Sequence, residues 1–389
     1  MKIKRILAVG GGSGGHVTPV VAILRELRKT NPHVDVRFWC DTHYAPQAKR
    51  IMEDYDHSIY VQTVASGKLR RYQHLSKLQH LTIPSVILPN IRDAFLVGVG
   101  VGQSVLRMIF WRPDVVFANG GYVCLPVGLA AALLRIPLVI HDADAVPGLT
   151  NRLLAPLATK IGTGLSLDHF HYPAAKAKHV GVAIDPAYKK VSSGEKKELK
   201  KEFGFSTDRP LLVVTGGGQG SRQVNMAVAQ NLQELLKHTN VLLLSGAAHY
   251  DEMKSLTPQN DSRFVLKDFI PGLPKVFGAA DVVVSRAGAT ALLELAAMAI
   301  PTIVIPSKRL LWQVEHVKLY VYENAVISLD EDAFEDPKDR SLVEAVTRIL
   351  SDTTYRQYLA ENLHKMARPH AAKDMAVLIE SAVRGNGGK

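Results

Sequence analysis

With 389 residues, 47% of them apolar and 21% charged, the chain is long enough for two domains of ordinary size and has the apolar content of a globular protein. A formal net charge of +11 asks for an anionic partner, whether a phosphorylated ligand, an acidic membrane surface or nucleic acid, and by itself chooses none of them. Two cysteines, Cys40 and Cys124, exclude a disulfide framework and a cysteine metal cluster and fit a reduced, cytosolic setting.

The chain opens on the basic residues 1–5, but the apolar run Ile6-Leu7-Ala8-Val9 behind them is short and enters Gly10-Gly11-Gly12-Ser13-Gly14-Gly15-His16, so it reads as a strand and not as a signal peptide. A helical pattern begins near Pro19. In a strand, glycine turn and helix, the turn lets backbone approach a ligand, and the helix start offers unpaired N–H groups and a positive dipole end to an anion. The expected guest is a phosphate or diphosphate. Gly10-x-Gly12-x-x-Gly15 with Asp35 downstream also satisfies the dinucleotide-binding pattern. The surplus of glycines, His16 closing the loop, Thr18-Pro19 after it and a second glycine loop far downstream argue against a nicotinamide site.

Residues 20–27 then form an amphipathic helix, 34–40 a second strand and 47–55 a helix. Residues 66–112 differ: Lys68, Arg70, Arg71, Lys77, Arg92, Arg107 and Arg112 face the single acid Asp93, interleaved with apolar residues such as Leu69, Tyr72 and Leu75. A basic rim around apolar side chains suits an anionic bilayer surface, where each Lys or Arg contributes about 1 kcal/mol. Lys68, Arg70, Arg71, Tyr72, Leu75 and Lys77 are the membrane-docking candidates. No recognisable nucleic-acid motif accompanies the charge, so nucleic acid is not expected as a partner. The apolar segment 94–110 is interrupted by Gln103, Ser104 and Arg107, and no run reads as long enough to span a bilayer, so a membrane would be met from the side.

The buried-type strand 114–118 runs into Asn119-Gly120-Gly121-Tyr122 and a helix over 126–134. Strand 136–140 ends at His141-Asp142-Ala143-Asp144, followed by Pro147-Gly148-Leu149-Thr150-Asn151. Ligands of open parallel sheets bind at the carboxyl ends of strands, so these segments converge on one rim. The pattern weakens over 166–209, where a Lys/Glu-rich helix at 194–203 marks the linker region. The scheme restarts with strand 211–215 and Gly216-Gly217-Gly218-Gln219-Gly220-Ser221-Arg222, a second phosphate cradle. Strands follow at 241–244, 264–266, 281–285 and 302–305, with a helix at 290–299; the tail 355–383 is helical and 385–389 frayed. Repeated strand, turn and helix give an α/β chain of doubly wound parallel sheets.

The two halves resemble the GT-B architecture of nucleotide-sugar glycosyltransferases, two Rossmann-like domains facing across a cleft. The first glycine loop with Val17-Thr18-Pro19, Gly120-Gly121-Tyr122-Val123, Pro147-Gly148-Leu149-Thr150-Asn151, the second glycine loop, and Ser285-Arg286-Ala287-Gly288-Ala289-Thr290 with Glu294 look like the MurG family, in the family's order over nearly the whole chain. That family comprises peripheral membrane enzymes that move N-acetylglucosamine (GlcNAc) from UDP-GlcNAc to undecaprenyl-diphospho-N-acetylmuramyl-pentapeptide, lipid I to lipid II, in peptidoglycan synthesis. The resemblance implies an acceptor and membrane-docking domain over 1–180, a UDP-sugar domain over 181–365, and a C-terminal helix at about 366–385 packing back on the first. It implies acceptor contacts at Ser13, Gly14, Gly15, His16, Gly120, Gly121, Tyr122, Asp144 and Asn151. On the donor side, Gly217, Gly218, Gln219 and Gly220 would hold the diphosphate, Ile270 backbone the uracil, Ala289 and Thr290 a phosphate, Glu294 the ribose and Gln313 the sugar hydroxyls. The implied partners are UDP-GlcNAc, the lipid-linked muramyl-peptide and the anionic inner face of the cytoplasmic membrane; no cofactor or metal is required.

Transfer needs a base for the acceptor hydroxyl and stabilisation of the departing UDP. The resemblance places His16 as candidate base, with a structural role for the loop as its alternative, and Asp144 as a second candidate. The chain departs from the family pattern where His141-Asp142-Ala143-Asp144 replaces His-Glu-Gln-Asn, where Gly181-Val182-Ala183-Ile184-Asp185 lacks the Arg of Gly-Asn-Pro-x-Arg, at Gly218 in place of Ser, and near Gln313, where His316 takes the place of an Asn. These departures leave open transfer of a UDP-sugar to a different polyprenyl or glycolipid acceptor, or a non-catalytic nucleotide-sugar-binding protein.

Overall fold

The computed structural model of the chain describes residues 2–12, 14–69 and 83–384. The chain divides into two compact units, Met1–Asp185 with His370–Lys389, and Pro186–Pro369. The division thus falls at Asp185–Pro186, a few residues past the boundary read from the sequence.

Among the described residues the first unit holds β1 (Arg5–Val9), β2 (Asp35–Cys40), β3 (Tyr60–Thr63), β4 (Val115–Ala118), β5 (Leu138–Asp142), β6 (Lys160–Thr163) and β7 (Ala177–His179). They form one parallel sheet in the order β3-β2-β1-β4-β5-β6-β7. Ile6 of β1 is level with Val36 on one side and Val115 on the other. Both faces of this central region are covered, which is why β1 and β4 read as unbroken apolar runs. On one face the helix Thr18–Thr30 buries Val20, Ile23, Leu24 and Leu27 against Met375, Ile379 and Ala382 of the last helix, Ala371–Arg384. Asn31 Nδ2 and Thr30 Oγ1 both donate to Glu380 Oε1, closing that contact. The tail is two helices, Thr353–Lys365 in the second unit and Ala371–Arg384 in the first, because Pro369 interrupts the backbone hydrogen bonds between them.

The second unit holds β8 (Leu211–Thr215), β9 (Asn240–Leu244), β10 (Phe264–Lys267), β11 (Val282–Ser285), β12 (Thr302–Val304) and β13 (Ile327–Ser328), again all parallel, in the order β10-β9-β8-β11-β12-β13. In each sheet the chain runs from a central strand to one edge and returns to build the other half. The loops after β1 and β4, and after β8 and β11, therefore part at a topological switch point, where such sheets bind ligands.

The expectation that no segment could span a bilayer needs correction. The helix Pro84–Phe110 is 27 residues long and, by length and composition, apolar enough to cross a membrane. It starts at Pro84, where a proline is tolerated because the first N–H groups of a helix lack partners anyway. Its inner face buries Val86, Asp93, Gly100, Ser104 and Met108. The opposite face exposes Leu88, Ile91, Phe95, Val99, Leu106, Ile109 and Phe110 at intervals of mostly three and four, a continuous apolar stripe turned outward.

Candidate active site

At the first switch point, β1 ends in Gly10–Gly12 and Gly14–His16 form a short 3-10 turn before the helix Thr18–Thr30, whose first turn carries no acidic side chain. Asp41, buried at the end of β2, pins this loop: Oδ2 accepts the Gly12 N–H at 2.7 Å and Oδ1 the Tyr44 N–H at 3.0 Å. The Tyr122 hydroxyl donates to the same carboxylate, and burial together with that bond pushes the phenol pKa well up. Asp41 thus holds the place at the strand end that the dinucleotide reading gives to a ribose-binding acid. Asp35 does not serve there, because it begins β2 at the far end of the sheet and accepts the Trp111 indole N–H at 2.8 Å.

Asn119, at the end of β4, fixes His16 from two sides. Its carbonyl accepts from His16 Nδ1 at 3.2 Å, and its amide donates to the His16 carbonyl at 3.0 Å. With the proton on Nδ1, Nε2 keeps its lone pair. Burial lowers the His16 pKa, so the neutral ring prevails. Gly120 must be glycine: its φ is +106°, and a Cβ there would stand 2.6 Å from His16 Nδ1.

The end of β5 completes this rim. The His141 ring lies with Nε2 2.8 Å from the Gly181 carbonyl and Nδ1 3.1 Å from Asn119 Oδ1, and burial holds its pKa down to about 4. Asp142 is buried and accepts from the Tyr172 hydroxyl at 2.7 Å. Asn151 is also buried, and its amide donates to the His141 carbonyl at 3.1 Å. Half-buried Asp144 is pushed up to about 7, by burial first and then by the charge of Asp142. A cavity of about 720 Å³ lies beside this loop, lined by Val146, Pro147, Arg152, His171, Tyr172 and Lys176 among others.

At the second switch point β8 ends in an exposed loop, Gly217–Gln219. The Gly217 N–H donates to Thr215 Oγ1 at 3.1 Å and the Gly220 N–H to the Gly217 carbonyl at 2.9 Å. Gly220 has φ +77°, and a Cβ there would lie 2.0 Å from the Ser245 carbonyl oxygen, so this turn admits only glycine. Ser221 caps the helix Arg222–His238 by accepting the Val224 N–H. After β11, Ala289 and Thr290 open the helix Ala289–Met298, whose N-terminus has no side-chain cap, and half-buried Glu294 follows one turn later. Ile270 lies in the loop after β10, its side chain packed on the core.

Gln313, in the helix Leu311–Tyr322 after β12, is buried and accepts the Ser307 N–H on Oε1 at 2.9 Å, which leaves its NH₂ as the group to meet a ligand. His316, one turn on, is buried and stacked on Tyr320 with ring centroids 5.2 Å apart. Neither ring nitrogen has a partner among the described residues, and burial lowers its pKa to about 4. Among the described residues no group of three or more His, Cys, Asp or Glu side chains is placed to hold a metal ion.

Residues 6–163 match the glycosyltransferase family 28 N-terminal domain and residues 211–376 the glycosyltransferase family 28 C-terminal domain. A UDP-N-acetylglucosamine–N-acetylmuramyl-(pentapeptide) pyrophosphoryl-undecaprenol N-acetylglucosamine transferase of Bacillus anthracis is 32% identical over 305 residues, 78% of this chain and 79% of its own length. One of Bacillus cereus is 29% identical over 392 residues, covering 98% of this chain and all of its own. The crystal structure of Acinetobacter baumannii MurG matches with a TM-score of 0.71 over 97% of this chain and 99% of that one, at 21% identity. The chain belongs to the MurG family. It is a glycosyltransferase with the GT-B fold.

Within this MurG-family chain, the described donor candidates all follow carboxyl ends of strands of the second sheet, and the described acceptor candidates follow β1, β4 and β5 of the first. Ser13, Arg70, Arg71, Tyr72, Leu75 and Lys77 lie outside the described residues; Lys68 is exposed. Sequence reasoning missed Asp41, Tyr172 and Glu331. Asp41 carries a signal in retrospect, an acid directly after a buried strand; Tyr172 and Glu331 sit in polar stretches and carry none.

Proposed function

We propose that the chain transfers GlcNAc from UDP-GlcNAc to undecaprenyl-diphospho-N-acetylmuramyl-pentapeptide, converting lipid I to lipid II with inversion at the anomeric carbon. The observation that carries this reading is a glycine loop feeding a helix N-terminus at the switch point of both sheets, one in each unit. Donor and acceptor of this reaction each contain a diphosphate, and each loop supplies the backbone N–H groups and dipole end that a diphosphate needs.

In this reading the first unit takes the acceptor diphosphate on Gly14, Gly15, Gly120 and Gly121, with Tyr122 and Asn151 shaping the loops and Ser13 contributing from the first. His16 Nε2 accepts the proton of the acceptor hydroxyl as that oxygen attacks the anomeric carbon. The bond from that carbon to the UDP oxygen breaks on the opposite face, and UDP leaves with the electron pair. In the second unit Gly217, Gly218, Gln219 and Gly220 hold the UDP diphosphate, and the helix start at Ala289 and Thr290 stabilises its growing charge. Ile270 backbone meets the uracil, Glu294 the ribose hydroxyls, and the Gln313 amide a sugar oxygen. Asp144, near pKa 7, is the second candidate for the base.

The outward stripe of the helix Pro84–Phe110, together with exposed Lys68 and Arg92, supports docking on the anionic inner face of the cytoplasmic membrane. The inner face of that helix is packed on the first unit and carries buried Asp93, which favours a helix lying on the membrane over one crossing it.

A second reading, transfer to a different polyprenyl or glycolipid acceptor, is favoured by the acids Asp142 and Asp144 on the acceptor rim, which offer a diphosphate no N–H donors from their side chains. An acceptor panel separates the two. With UDP-GlcNAc as donor, product on a short-chain muramyl-pentapeptide diphospholipid supports the first; product only on prenyl phosphates or glycolipids without the muramyl-peptide transfers the assignment to the second.

A further inference from the structure

Arg286 belongs to the Ser285-Arg286-Ala287-Gly288 stretch at the end of β11, and the reaction as derived leaves it without a role. An arginine beside a diphosphate loop invites a direct phosphate contact, but its guanidinium is taken up inside the protein. Nε donates to Ser221 Oγ at 3.0 Å, Nη1 to the Ile305 carbonyl at 3.0 Å and to Glu331 Oε2 at 2.7 Å, and Nη2 to Gln223 Oε1 at 3.3 Å. Arg286 and Glu331 are 9% and 8% exposed, so this is a buried ion pair. The second Glu331 oxygen accepts the Lys308 N–H at 2.6 Å and lies 3.4 Å from the Ser307 hydroxyl, while the Ser307 N–H donates to Gln313 Oε1.

These bonds join separate strand ends. Ser221 and Gln223 are the cap and first turn of the helix that follows the β8 glycine loop; Ile305, Ser307 and Lys308 follow β12; Glu331 follows β13. We infer that Arg286 and Glu331 act as a clamp coupling the diphosphate loop to the sugar-reading Gln313, so that a nucleotide diphosphate fixes the loop in the geometry that presents the Gln313 amide to the sugar. Both are positioning residues. Arg286 sets the helix N-terminus through Ser221, and Glu331 sets the Ser307–Lys308 backbone that orients Gln313. A lysine cannot replace Arg286, since one ammonium cannot span Ser221, Ile305 and Glu331 as the planar fork does. The inference rests on the donor assignment proposed above.

The test compares uridine, UDP and UDP-GlcNAc binding by calorimetry in the wild type, in Arg286→Met/Glu331→Met and in Glu331→Gln. Replacing both charges with apolar side chains avoids leaving one buried charge alone, a change that proteins commonly tolerate; Glu331→Gln keeps the side-chain shape should the double variant fail to fold. The clamp predicts unchanged uridine affinity, UDP binding weakened by about tenfold, and loss of whatever affinity difference the wild type shows between UDP-GlcNAc and UDP. A merely structural pair would lower the melting temperature while the three affinities stayed within about twofold of wild type or fell together, and either pattern overturns the clamp. Absence of UDP binding by the wild type overturns the donor assignment itself.

Discussion

His16 and Asp144 stand on the same rim with different pH signatures. A base that titrates below the ordinary histidine value of 6.5, as burial makes His16, gives kcat/KM an acid limb below that pH; a base near 7, as Asp144 would be, gives a limb about there. The account expects the lower limb. It expects His16→Ala to lower turnover by roughly 10²–10⁴-fold with UDP-GlcNAc affinity unchanged; near-normal turnover would remove His16 from the chemistry. Asp144 carries a separate prediction on stability. A carboxyl whose folded pKa is raised stays protonated in the native state while the unfolded chain ionises, so the wild type loses stability as pH rises from about 4 to about 7 and levels off above. Asp144→Asn removes that loss. The variant should melt higher than wild type at pH 8, by roughly 2–4 °C for each kcal/mol, with a smaller difference at pH 5. A pH-independent difference would mean that Asp144 is ionised throughout.

At the scale of elements, two helices carry distinct predictions. Ile379 in the last helix is fully buried against the first sheet, so Ile379→Ala should cost roughly 2–5 kcal/mol in urea unfolding. A change below about 1 kcal/mol would show that this helix contributes little to the first core. On the helix Pro84–Phe110, Phe95 and Phe110 are 71% and 87% exposed. Each Phe moved from water to lipid gains about 1.5–3 kcal/mol, so Phe95→Glu/Phe110→Glu should weaken binding to anionic vesicles at least about tenfold without changing UDP affinity. Equal vesicle binding would place the docking surface elsewhere. The central strands were legible because burial on both faces makes them continuous apolar runs, as in β8. The missed strands lack that signal: β3 is a half-exposed edge, β6 has four residues of which only Ile161 is a large apolar one, β7 has three residues with one charged, and β13 has two. The apolar segment 94–110 reads as interrupted in sequence at Gln103, Ser104 and Arg107, whereas the helix turns these polar groups inward: Ser104 is buried, Gln103 accepts the Ala65 N–H and Arg107 donates to the Thr63 carbonyl.

Across the whole molecule, the glycine loops were legible because only glycine meets the positive φ and close backbone approach that a phosphate cradle requires, as at Gly120 and Gly220. Their supports were not. Asp41 holds the first loop from β2, and the Arg286–Glu331 pair ties the second to β12 and β13, contacts between residues far apart in sequence that no local pattern encodes. Asp35, which the dinucleotide spacing alone would pick out, shows the same limit, since spacing does not say at which end of a strand an acid stands. The central claim is that this chain uses a diphosphate rim on each unit to join GlcNAc to a lipid-linked muramyl-peptide. Its most direct test follows UDP and disaccharide-lipid together after mixing the full chain with UDP-GlcNAc and a short-chain lipid I. The account predicts both in equal amounts, with a β linkage in the new disaccharide. UDP released without disaccharide-lipid, or UDP-GlcNAc bound with neither product formed, would contradict it.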